Sequence, residues 1–146
     1  MQEKKGPIKR QIFVAIGLVL NERGEVLLGK RHDPRNRGMH GRWEFPGGKV
    51  EFGEHPSETV CREIKEEVAL DIMDPKLMAV YSWFHPDRPH IQIVILAYIA
   101  RVVNTAVAKP NCSEVREVTW KSIDGAMQLP IIENNQYILR DLKKNV

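Results

Sequence analysis

One stretch constrains the fold of this chain more than any other. From Ile91 to Val103 the residues run IQIVILAYIARVV, and before Arg101 only Gln92 interrupts the apolar series. A strand with one wet face alternates apolar and polar residues, whereas a near-continuous run fits a strand buried on both faces. The run is too short to cross a membrane as a helix. It therefore predicts a central strand of a sheet covered by helices, and the rest of the chain has to supply the neighbouring strands and the cover.

The neighbours can be read on both sides. Leu77–Phe84 predicts a strand, joined to the central one by a turn over 85–90 (His-Pro-Asp-Arg-Pro-His). Upstream, Ile12–Leu20 is a β-rich apolar run broken only by Gly17. A turn at Asn21–Gly24 follows, and a strand begins at Val26–Gly29, the pattern of a hairpin with a longer loop. Residues 32–41 are polar, carry Pro34, Gly38 and Gly41, and predict a loop. Trp43–Phe45 predicts a short strand ending at Pro46-Gly47-Gly48, and Val115–Trp120 predicts another. Glu133–Lys144 is amphipathic and predicts a terminal helix. Strands, helix, strands and helix in that order give an α/β fold with a mixed sheet covered by helices. The 146 residues suit one domain, expected over 11–146 behind a flexible segment 1–10.

After Glu54 the apolar period changes from two to four. Pro56 suits a first helical turn, and Val60, Ile64 and Val68 form one stripe with Cys61 beside them. Ala69–Asp74 is expected to close the helix before Pro75. At about 100° per residue, Glu63, Glu66 and Glu67 fall at roughly 240–340° from Val60, a second stripe beside the apolar one. Acids three and four apart repel, and those near a helix C-terminus also oppose its dipole. A run of this kind is commonly a solvated face balanced by Lys65 and Arg62. The alternative is a divalent cation, since hard carboxylate oxygens suit Mg²⁺ and Mn²⁺.

Composition narrows the function classes. The net charge of +3 is too small to argue for nucleic-acid binding. Lys4, Lys5, Lys9 and Arg10 at one end, with Lys143 and Lys144 at the other, read as solvated tails. Lys30, Arg31, His32, Arg35, Arg37, His40 and Arg42 are different: they precede the acid stripe and could face a polyphosphate. Cys61 and Cys112 form no CxxC, so neither a zinc framework nor a disulfide scaffold is expected. Reduced thiols and a polar start predict a cytoplasmic protein without a membrane anchor. Tyr81, Trp83, Phe84, Trp43 and Phe45 are candidates to stack on a base, though aromatics in strands are commonly core. His85 and His90 could reach a phosphate.

The stretch Gly48, Glu54, Arg62-Glu63-Ile64-Lys65-Glu66-Glu67-Val68-Ala69-Leu70 resembles the box of the Nudix hydrolases. It departs from that box at one defining position, where Ala69 replaces glycine. Val26–Arg31 and Trp43–Gly48 resemble the segments before the box, so the similarity spans about residues 12–124. It implies an α/β/α sandwich around a mixed sheet, and Mg²⁺-dependent hydrolysis of a nucleoside diphosphate-linked substrate, with Mn²⁺ able to substitute. It also implies metal ligation by Glu63, Glu66, Glu67 and the Gly47 carbonyl, an orienting role for Arg62, and a supporting role for Glu54 and Gly48. Six residues ahead of Trp120, Glu114 would be a metal ligand or general base, with Glu117 competing. Arg31, Arg42, Gly48, Lys49, Trp83 and Phe84 are the substrate-side candidates.

The layout is most similar to MutT-type members, which implies a nucleoside triphosphate, oxidised or modified forms included, cleaved to NMP and pyrophosphate. ADP-ribose or a nucleotide sugar is the alternative, given some support by Pro86. A catalytically inactive nucleotide- or RNA-binding module is the alternative of another class. Relatives of this kind commonly form homodimers.

Overall fold

The computed structural model describes residues 6–103 and 107–146; of the segment predicted to be flexible, residues 1–5 lie outside the described residues. The strands are β1 (Arg10–Leu20), β2 (Val26–Arg31), β3 (Trp43–Glu44), β4 (Gly47–Lys49), β5 (Ile72–Phe84), β6 (Ile91–Val102) and β7 (Val115–Lys121). The helices are α1 (Pro56–Val68), α2 (Ile123–Ala126) and α3 (Glu133–Asn145). The strands form one sheet of order β3-β2-β1-β6-β5, with β4 added to β1 and β7 to β2. Among the pairs of described strands only β1 and β6 run parallel; the others are antiparallel, so the sheet is mixed.

The near-continuous apolar run does become the doubly buried β6. Ile95 and Ala97 join one core cluster with Ile16, Leu18, Val26, Leu28 and the α3 residues Ile138, Leu139 and Leu142. Tyr98 joins the other, with Ala15, Val19, Leu27 and the α1 stripe Val60, Ile64 and Val68. Alternate residues of each strand thus feed opposite faces, and α1 and α3 close them. Each fully buried aliphatic side chain contributes roughly 1.5–3 kcal/mol to the fold. At Gly17 the helix lies so close that a Cβ would stand 2.3 Å from Ile64 Cδ1. Glycine here sets the depth at which α1 rests on β1.

Two local expectations are corrected. Ala69–Asp74 does not extend the helix: α1 ends at Val68, and β5 starts at Ile72 and runs through Pro75. Asp74 has φ 49, and the β5–β6 register shifts between Met73 and Lys76. Proline and a shifted register are tolerated because β5 is an edge strand. Gly47–Lys49, expected to follow the end of a short strand at Pro46-Gly47-Gly48, is itself the strand β4, paired with Val14–Ile16. Gly-Gly-Lys has no intrinsic strand preference, so β1 imposes the conformation.

Candidate active site

The site grows from the junction of β4 and α1. Gly17 N–H donates to the Pro46 carbonyl and Val50 N–H to the Phe13 carbonyl, both at 2.8 Å. Hydrogen-bonded pairs alternate along an antiparallel ladder, so Ile16 and Gly47 form a non-bonded pair. The N–H and carbonyl of Gly47 therefore point away from β1, and the N–H donates to Glu67 Oε2 at 3.3 Å. A Cβ on Gly48 would lie 2.4 Å from the Glu63 carboxyl carbon. Only glycine lets that carboxylate lie against the β4 backbone.

Arg62 organises the acids around it. Its Nε and Nη2 donate to the two oxygens of Glu54 at 2.8 and 3.1 Å, a forked pair. Its Nη1 donates to Glu63 Oε1 at 2.9 Å and to Glu66 Oε2 at 3.3 Å, and Nη2 reaches the Lys49 carbonyl at 3.4 Å. Glu54 also accepts from the Thr59 hydroxyl at 2.6 Å and from Glu51 N–H at 3.2 Å. These bonds hold the Glu54 carboxyl down to about 2, the Arg62 fork contributing most. Glu54 therefore stays ionised and serves to aim Arg62.

Glu67 has the opposite environment. Burial, then the charge of Glu63, push its carboxyl up to about 8, against a smaller opposing effect of Gly47 N–H. The charge of Glu44 adds to the rise. Glu44 itself is pushed above the usual carboxylate range by burial, offset in part by Arg31, and it feels Glu114. Arg31 lies between Glu44 (3.5 Å) and Asp33 (3.1 Å). Glu44 carried no assigned role in the sequence. Its only signal was a carboxylate in a short strand between Trp43 and Phe45, and its neighbours arrive through the β2–β3 and β2–β7 pairings.

Gly47, Gly48, Glu54, Arg62, Glu63, Glu66 and Glu67 are thus brought together, with Lys49 contributing its carbonyl. Glu66 is turned towards Arg62 and its side chain is more than half exposed. Glu117 lies opposite Lys30 on the β2–β7 ladder and pairs with it at 3.8 Å. Glu114 is exposed, and its carbonyl accepts from His32 N–H at 2.7 Å. Arg42 is exposed, and its carbonyl accepts from Arg31 N–H. Trp83 and Phe84 are not brought together. Trp83 stacks on Tyr81, beside Tyr137, Arg140 and Asp141 of α3. Phe84 lines a separate hollow with Lys9, Arg10 and His90.

Among the described residues, no three His, Cys, Asp or Glu side chains converge as a ready-made metal cage. The donor chemistry nonetheless fits a hard divalent cation. Burial, and then the charge of Glu63, drive Glu67 towards its neutral form, and the Gly47 carbonyl is turned off the ladder.

Comparison with known proteins decides the family. The NUDIX domain model matches residues 10–142. The chain belongs to the Nudix hydrolase family, in its MutT-like branch. The 8-oxo-dGTP diphosphatase of Escherichia coli (strain K12) is 34% identical over 135 residues, 92% of this chain and 98% of that protein. The ADP-ribose pyrophosphatase of Methanocaldococcus jannaschii is 37% identical over 91 residues, 62% of this chain and 51% of that protein. The MutT NUDIX hydrolase of Burkholderia pseudomallei superposes with a TM-score of 0.78 at 21% identity, over 92% of this chain and 99% of that one, a likeness of fold alone. As a Nudix hydrolase the protein acts on nucleoside diphosphate-linked substrates, in a family that uses divalent metal ions. No helix among the described residues is long and apolar enough to cross a membrane.

Proposed function

We propose that this Nudix hydrolase cleaves nucleoside triphosphates, oxidised or modified forms included, to NMP and pyrophosphate with Mg²⁺, Mn²⁺ being able to substitute. The observation that carries the reading is the Glu63–Glu67 pair pressed against Gly47 and Gly48 beside the Arg62 fork. The near full-length similarity to the E. coli diphosphatase supports the choice of substrate.

A pyrophosphate link repels an attacking water through its own charge. A bound divalent cation would screen that charge and acidify its water. Glu63, Glu66, Glu67 and the Gly47 carbonyl are the groups that would hold it. Glu114 is the proposed further ligand or general base, a role for which Glu117 is less suited because it is paired with Lys30. Arg31, steered by Glu44 and Asp33, would meet the distal phosphates. Water adds to one phosphorus, the bridging P–O bond breaks, and the water's proton passes to the base.

The test is a panel with Mg²⁺ of canonical and oxidised dNTPs, ADP-ribose, nucleotide sugars and dinucleoside polyphosphates, with products identified by ³¹P NMR. ADP-ribose belongs in it because of the M. jannaschii relative. Release of NMP and pyrophosphate from a triphosphate is the expected result. Absence of turnover on every member would leave the inactive binding module in its place. Glu66→Gln and Glu67→Gln should each lower kcat by at least about a hundredfold with the circular dichroism spectrum unchanged. Full activity in either folded variant removes that residue from the site.

A further inference from the structure

The segment after residue 106 fastens α1 to the loop that carries Glu114. Ala108 is 8% exposed and packs in the same core cluster as Val68 and Leu70. Lys109 N–H donates to the Val68 carbonyl at 3.1 Å, and Asn111 N–H to the Glu67 carbonyl at 2.8 Å. The Asn111 side chain donates from Nδ2 to the Lys65 carbonyl at 3.3 Å. The last carbonyls of a helix have no partners within it, so the two backbone bonds to Glu67 and Val68 occupy positions that water would otherwise fill, while the Lys65 carbonyl takes the Asn111 side chain in addition to Ala69 N–H. Three residues further on, the Glu114 carbonyl is tied to His32 N–H, and Val115 N–H turns back to the Cys112 carbonyl at 3.4 Å.

We propose that residues 108–114 are a strap whose Asn111 positions Glu114 relative to the acid stripe of α1. The proposal rests on the reading of Glu114 as part of the site. Glu67 is the point of contact: its carboxylate meets Gly47 N–H while its carbonyl carries the strap. Because Asn111 bonds the same helical turn that presents Glu66 and Glu67, any slip of the strap changes the distance from Glu114 to those acids. The other end cannot compensate, since the Glu114 backbone is fixed on β2's side of the site. Asn111 touches no reacting atom in this scheme and is a positioning residue.

Displacing a catalytic group by about 1 Å costs roughly tenfold to a hundredfold in rate. Asn111→Ala should therefore lower kcat by about tenfold and leave KM for the triphosphate unchanged, and Asn111→Gln, which keeps a donor, should recover part of the loss. In metal-free protein the amides of Cys112 to Val115 should exchange hydrogen faster in Asn111→Ala, with little change in Tm.

The deciding measurement is the double variant. If Asn111 acts through Glu114, Asn111→Ala adds nothing to Glu114→Gln. Losses that multiply, an unchanged kcat, or unchanged exchange over 112–115 each overturn the strap. Full activity in Glu114→Gln alone instead overturns the role of Glu114, so the two failures are told apart.

Discussion

Glu67 is gripped at both ends, and its carboxyl sits between a backbone N–H and the charge of Glu63. Its folded value of about 8 lies above the ordinary 4.5, so between those pH values the folded protein binds more protons than the unfolded chain. In metal-free protein stability should thus fall as pH rises from about 5 to 8, by an amount on the order of 3 kcal/mol. Tm measured across that range in EDTA checks it, and Glu67→Gln should flatten the slope. An equal slope in the variant would place the titration elsewhere. At this scale the sequence was legible where partners are local. The acid stripe follows from helical spacing, while the orienting role of Arg62 came only with the family resemblance. Glu44 was not legible, because Arg31 and Glu114 reach it only through strand pairing, and neither was Asn135. That residue is 8% exposed at the start of α3, and its side chain accepts from Phe45 N–H at 3.0 Å.

Among the elements, α1 shows how local rules and tertiary demands divide the work. His55 caps its start by accepting from Ser57 N–H at 3.1 Å, with Pro56 in the first turn. Its end is marked by Ala69, the one departure from the family box, in the left-handed conformation with φ 60 and ψ 30. Alanine at such a position is strained by about 1 kcal/mol relative to glycine. Ala69→Gly should accordingly raise stability by about that amount in urea titration while kcat stays the same; destabilisation would mean the cap is not strained. The bounds of β6 and α3 could be read to within a residue because periodicity and burial agree there, while β1 starts two residues earlier than Ile12 and β2 continues two beyond Gly29. β4 could not be read, for its conformation belongs to its partner, and the start of β5 was hidden by Asp74 and Pro75.

The whole molecule joins α1 and α3 across a sheet whose centre is the β1–β6 pair, and the apolar run in β6 announced that layering from sequence alone. What the run could not announce is the direction of pairing. Parallel strands need a long crossover, and here Gln11 and Gln92, hydrogen-bonded across the ladder, are 81 positions apart. Every box residue, from Gly48 to Leu70, lies inside that crossover. Time is the consequence. Closing so long a loop costs entropy before any ladder contact repays it, so the chain should refold in milliseconds to seconds, slower than a helical bundle of equal length. Stopped-flow tryptophan fluorescence would measure this, and a microsecond phase carrying the full amplitude would contradict it. Until β6 has been synthesised and docked, β1 lacks its central partner, and the growing chain holds the carboxylates of α1 beside an unfinished sheet.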